Sequence, residues 1–235
     1  MTLDEVMKEL EKAGDENTRK THIRHGAKEP LFGVKVQELK KIMKKTKHDY
    51  KLSLQLYDIG NSDAMYLAGL ISKPMEMTIE EINHWADKAY WNMLSEYIVP
   101  WVASESRFGA ELAREWIKSD RESIASAGWS TWSSLTSIKP DSELDLEELY
   151  NLLQTIPDKL RTAKDRVTYT MNGFVICVGS YVIPLFDTAM EVAEKIGKVQ
   201  VDMKGTACKV PSAVDYLNKI KNMNRIGHKK KTAFC

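Results

Sequence analysis

A helical period runs through most of this chain, and it confines the fold to packed helices. In Val34–Lys45, Leu39, Ile42 and Met43 fall on one stripe while lysines take the other side. That is the spacing of a helix with one face toward a core. Thr2-Leu-Asp-Glu5 and Thr78-Ile-Glu-Glu81 each set a hydroxyl at a helix start and a glutamate three residues on. Each pair can satisfy two of the orphan N–H groups of a first turn. Asp145-Leu-Glu-Glu148 follows the same logic. Further helical stretches are expected at 16–26, 49–59, 62–72, 92–103, 108–118, 121–136, 162–177, 181–197 and 212–224, with breaks at Lys73-Pro74, Lys139-Pro140 and Ile183-Pro184. Short helices with brief connections predict an all-α stack of helical pairs, an α-solenoid forming one domain over 1–235 with a basic tail at 226–235. No strict consensus recurs at a fixed period, so a compact irregular bundle is the competing arrangement.

One segment departs from this period. Gly197–Pro211 alternates Val199, Val201 and Met203 with polar residues, and Lys204-Gly205 can form a turn. We expect a β-hairpin near 198–210, or a loop joining the last two helices. A hairpin carrying Lys198, Lys204 and Lys209 would fit a DNA groove.

Two distributions bear on function. All six tryptophans lie between Trp85 and Trp132. Such rings either fill a core or present flat surfaces on which a base can stack. Charge is also uneven although the net charge is +1. Residues 195–235 hold ten Lys/Arg against two Asp/Glu, whereas residues 1–194 hold 24 against 31. The end of the chain therefore reads as an electrostatic handle or a solvated terminus. Three separated cysteines argue against a disulfide framework and for a reducing cytosol. No apolar run approaches a membrane span, and the acidic, amphipathic start does not resemble a secretory signal.

Four stretches together resemble the AlkC/AlkD superfamily of DNA alkylation repair proteins. They are Leu31-Phe-Gly-Val34 running into Lys35–Ile42, Tyr90-Trp91 with Glu96–Pro100, Trp116-Ile-Lys-Ser-Asp120, and Asn172-Gly-Phe174. The resemblance covers about residues 25–200. It implies HEAT-like helical repeats with a concave basic face that holds duplex DNA, from which the family's glycosylases remove alkylated purines; a preference for branched DNA is expected only from the lysine-bearing hairpin near 198–210. In that family's glycosylases two tryptophans contact DNA near the lesion, a carboxylate opposes the developing oxocarbenium charge, and an arginine anchors phosphate. Carried over, the first tryptophan falls on Trp91 and the second on Phe174. The carboxylate falls on Ser95 counted from Trp91, or on Glu96 counted from Pro100. The arginine falls on Ser126, with Arg121 or Arg107 as out-of-register substitutes.

Helical phase bears on the carboxylate. Trp91 and Ser95 share an α-helical face, whereas Glu96 lies about 140° round from Trp91. A serine supplies a dipole where a charge is needed, and one such electrostatic group is worth roughly 3 kcal/mol. We therefore expect DNA binding with lost or weakened chemistry. The rivals are an active alkylpurine glycosylase using Glu96 and a protein-binding scaffold. The expected DNA contacts are Tyr90, Trp91, Arg121, Trp129, Trp132, Lys164, Arg166, Phe174, Lys204 and Lys209, supported by basic clusters at Arg19–Lys28, Lys40–Lys45 and Arg161–Arg166. Cys208, His228 and Cys235 match no zinc module, and no phosphate-binding glycine loop is present. No metal and no cofactor are expected. A cytoplasmic monomer is.

Overall fold

Both threonine capping boxes form. The Thr2 hydroxyl accepts from the Glu5 N–H while the Glu5 carboxylate takes the Thr2 N–H, and Thr78 and Glu81 repeat the arrangement. Asp145 caps its helix through the Glu148 N–H at 2.9 Å, but the Glu148 side chain is drawn away to Arg114. The computed structural model describes residues 1–203 and 208–234. Among these lie thirteen α-helices: α1 (Leu3–Lys12), α2 (Glu16–Arg24), α3 (Val36–Thr46), α4 (Tyr50–Asp58), α5 (Ser62–Ile71), α6 (Ile79–Lys88), α7 (Val99–Glu105), α8 (Gly109–Trp116), α9 (Glu122–Ile138), α10 (Leu146–Lys159), α11 (Asp165–Tyr181), α12 (Phe186–Ile196) and α13 (Ala213–Asn222). A single 3₁₀ turn follows each proline break, at Pro74–Glu76, Asp141–Glu143 and Ile183–Leu185. The chain is all-α, and among the described residues no helix is long and apolar enough to cross a membrane.

The chain divides into two compact units, Met1–Phe108 with Phe234, and Gly109–Ala233. In the first unit α5 is the hub. All ten of its residues are buried, as an element apolar nearly all round must be. Asp63 in its first turn is the exception, a carboxylate with nowhere to go but inward. Its oxygens accept the backbone N–H groups of Phe32, Gly33 and Val34 at 2.6, 3.0 and 2.8 Å. The chain before α3 is thus wound onto α5, and the Gly33 carbonyl in turn accepts the Asp15 N–H. Gly33 has φ +76°, and a Cβ there would come within 2.4 Å of the Arg19 nitrogen. The Leu31-Phe-Gly-Val34 stretch is therefore built to wrap a buried carboxylate.

In the second unit α9 and α11, each of 17 residues, pack side by side. They run parallel. Lys164 at the start of α11 donates to the Asp120 carbonyl before α9 at 2.7 Å, and the Arg166 N–H meets Glu122 at 2.9 Å. Their far ends are capped together by one segment. The Gly227 N–H donates to Ser180 of α11, the Lys230 N–H to Ser137 of α9, and Lys229 Nζ to Thr136 of α9. These carbonyls belong to last turns, which lack intrahelical donors. α13 then packs on α11, and α10 on α12. Parallel helices alternating with a second row are how helical repeats stack.

Two sequence expectations change here. The basic tail is not a loose handle, because Lys229 is only 19% exposed and ion-paired to Asp141 at 2.8 Å. Phe234 packs on Trp101 in the aromatic cluster of the first unit, with ring centroids 5.6 Å apart. Residues 198–203 and 208–210 form no strand, so no hairpin ladder appears among the described residues. Met203 lies instead against Arg166, and the Asp202 N–H donates to Asp165. The turn at Lys204-Gly205 lies outside the described residues.

Candidate nucleic-acid interface

The tryptophans resolve into core. Trp85, Trp116, Trp129 and Trp132 are 1–3% exposed, and Trp91 and Trp101 are 6% exposed. Trp129 packs on Phe174, which is wholly buried, with centroids 5.3 Å apart in the core of the second unit. Trp129, Trp132 and Phe174 present no open ring face on which a base could stack, which corrects the expectation that they touch DNA. Asn172, two residues before Phe174, faces the loop instead and donates to the Pro211 carbonyl at 3.0 Å. Trp91 keeps a partly polar setting. Its ring meets His22 at 5.4 Å, and neither its Nε1 nor His22 Nδ1 has a hydrogen-bond partner among the described residues. Burial lowers the His22 pKa against the opposing pull of Asp63. Tyr90, beside it, is half-buried, and its hydroxyl donates to the Lys28 carbonyl at 3.3 Å.

The Trp91–Pro100 stretch departs from the α-helical period. Leu94–Ile98 is a π-helical stretch, and the Val99 N–H reaches back five residues to the Leu94 carbonyl. One extra residue per turn shifts the helical phase, so Ser95 and Glu96 are both buried, at 3% and 7% exposure. Ser95 is committed to the helix, since its hydroxyl and its N–H both donate to the Trp91 carbonyl, at 3.3 and 3.0 Å. Glu96 places a buried carboxyl group on the same turn. π-Turns recur at functional sites because they re-aim side chains in this way.

The basic candidates of the second unit come together. Arg121 precedes α9 and Lys164 precedes α11, and both are exposed. Arg166 is half-buried, its guanidinium 4.4 Å from the Tyr169 ring centroid. Lys209 is exposed on the loop that Asn172 ties to α11. Arg121, Lys164 and Arg166 thus stand at two parallel helix N-termini, where Glu122 already accepts the Arg166 N–H. Lys204 lies outside the described residues. Ser126, at the position of the family's arginine, is buried and bonded to the Glu122 carbonyl at 2.6 Å. In the first unit part of the basic charge is neutralised, through Arg19 with Glu29, Lys41 with Glu38 and Lys45 with Glu9.

Asp63 and the Lys229 cap were not singled out from the sequence. For Asp63 a signal existed, a carboxylate opening the run Ala64-Met-Tyr-Leu-Ala-Gly-Leu-Ile71. Buried there, it had to find donors.

Comparison with known proteins agrees with this geometry. Residues 6–182 match the family model described as DNA alkylation repair enzyme. The uncharacterized protein Lmo0209 of Listeria monocytogenes is 34% identical over 231 residues, covering 96% of this chain and all of that protein. The uncharacterized protein Lin0241 of Listeria innocua is 32% identical over 228 residues, covering 94% and 98%. A solved structure described as "a new family of proteins related to the HEAT-like repeat DNA glycosylases with affinity for branched DNA structures" superposes with a TM-score of 0.92 at 35% identity, covering all of both chains.

Proposed function

The chain belongs to the DNA alkylation repair enzyme family, and from that premise we propose that it binds duplex, damaged or branched DNA with its glycosylase chemistry lost or weakened. The observation that carries this reading is Ser95. Counted from Trp91 it takes the place of the carboxylate, and its hydroxyl is spent on the Trp91 carbonyl. Cleavage of a cationic alkylpurine bond relies on a negative charge beside the sugar, and a buried, committed hydroxyl does not supply one. Binding needs less. Arg121, Lys164 and Arg166 stand at the N-terminal ends of α9 and α11, and Lys209 is exposed on the loop tied to α11 at Asn172; phosphate contacts by such groups give affinity without sequence choice. The branched-DNA affinity described for the solved relative's family supports a preference for junctions.

One observation favours a second reading, that of an active alkylpurine glycosylase. The π-turn buries Glu96 beside Ser95, so a carboxyl group stands one residue from the expected position. A single experiment separates the two. Release of alkylated purines from methylated duplex is measured together with binding to duplex and four-way-junction DNA across a salt series. Steeply salt-dependent binding without base release is expected. Base release that disappears in Glu96→Gln and persists in Ser95→Ala would establish the second reading instead.

A further inference from the structure

The first unit holds a pocket of about 320 Å³, within the size range of small-ligand sites. Its floor is apolar, made by Met65 and Tyr57, which are 1% exposed. Its rim carries Lys28, Glu29, Asp58, Lys88 and Tyr90, and the charges there are sorted. Glu29 is engaged by Arg19, and Asp58 by His84 Nε2 at 2.7 Å. Lys28 and Lys88 form no ion pair among the described residues. Both acids on the rim are thus held by side chains outside the pocket, an arginine and a histidine, while the two ammonium groups have no carboxylate partner among the described residues. Gly60 lines one side in the left-handed region at φ +75°, and a Cβ there would meet no atom within 4 Å. The wall at that point is open space.

Two unanswered ammonium groups favour an anion. The apolar floor and the Tyr90 ring favour a flat, partly apolar body attached to it. An inorganic anion would leave most of the cavity empty. We infer that this pocket takes a nucleoside phosphate, with the phosphate between Lys28 and Lys88 and the base against the half-buried Tyr90 ring.

The inference rests on the nucleic-acid reading only for the source of the ligand, a free mononucleotide or the phosphorylated end of a DNA strand. The test uses the whole chain, wild type and Lys28→Gln/Lys88→Gln. Affinities are measured for 2′-deoxyadenosine 5′-monophosphate, for inorganic phosphate, and for one short oligonucleotide with and without a 5′-phosphate. Both lysines are exposed, so the double variant should melt as the wild type does. Wild-type binding of the mononucleotide, weakened at least tenfold in the variant and at least tenfold tighter than inorganic phosphate, supports the site with a free ligand. The same loss confined to the 5′-phosphorylated oligonucleotide supports it with a strand end as the source. Equal affinities of wild type and variant for both probes overturn it, as does parity between phosphate and mononucleotide, or no binding of either probe. Four-way-junction binding is followed in parallel. If it persists while the pocket probes fail, the pocket falls and the DNA-binding reading stands.

Discussion

Each unit places a charged side chain on backbone groups, and the two placements differ in what they can bear. In the first unit Asp63 is 2% exposed and takes three consecutive loop N–H groups. In the second Lys229 is 19% exposed and serves a helix-end carbonyl together with the Asp141 carboxylate. The carboxylate alone accepts the three consecutive N–H groups of its loop. The ammonium shares its task with backbone donors, since the N–H groups of Gly227 and Lys230 cap the same two helix ends. A buried charge with three donors cannot be removed without orphaning them. A half-screened charge among other caps can be removed at modest cost.

The largest effect should follow from Asp63→Ala. It leaves the N–H groups of Phe32, Gly33 and Val34 without an acceptor in a dry region. Each unsatisfied buried group costs about 1–3 kcal/mol, and breaking a buried charged network about 3–5 kcal/mol. We expect a loss of about 3–5 kcal/mol in chemical denaturation. Asp63→Asn should recover part of it, because its single carbonyl oxygen can still accept. A loss below about 1 kcal/mol for Asp63→Ala would show that water readily replaces the carboxylate, and the contrast between the units would fail.

What was legible in the sequence was local. Thr2, Thr78 and Asp145 announce their helices because a cap and its partner lie three residues apart. The proline breaks fall where 3₁₀ turns appear. What was not legible depended on partners distant in sequence or on a broken period. The π-turn at Leu94–Ile98 inserts one residue and so defeats the phase count that separated Ser95 from Glu96. Trp129 and Phe174 carry the same chemistry in a core as on a stacking surface, and only packing distinguishes the two. Lys229 adds to a basic composition whether it grips phosphate or caps α9, and composition cannot name the carbonyl it meets. Asp63 reads as an ordinary first-turn acid until the rest of α5 proves to be buried.

A smaller effect is expected at the second anchor. Lys229→Met keeps the aliphatic stem and deletes the charge, so it isolates the bond to the Thr136 carbonyl and the pair with Asp141. A cation at a partly buried helix C-terminus is worth up to about 2 kcal/mol, and we expect a loss of about 1–2 kcal/mol. Asp141 also accepts the Ile183 N–H at 3.1 Å, so the double variant Lys229→Met/Asp141→Asn should fall short of the sum of the single changes. Strict additivity would mean that the cap is not a connected unit. A loss equal to that of Asp63→Ala would erase the distinction drawn between the anchors.

The smallest effect asks whether the Asp63 charge reaches beyond the loop it holds. Burial lowers the His22 pKa from 6.5, and the field of Asp63 works against that lowering. Since the folded pKa lies below the unfolded one, the unfolded chain binds more protons as pH falls through 6.5. Stability contributed by neutral His22 is therefore complete above that value and is lost as pH drops toward the folded pKa. Melting temperatures followed from pH 7.5 to 5.5 should decline more in the wild type than in His22→Gln. The single variant measures the size of the effect, and a background without Asp63 measures its cause. With the carboxylate replaced by Asn, the opposing field is gone, so the folded pKa of His22 should fall further and the pH-dependent loss should deepen. If the loss is unchanged in Asp63→Asn, the three N–H groups absorb the whole of that charge, and the first anchor is as local in its reach as the second.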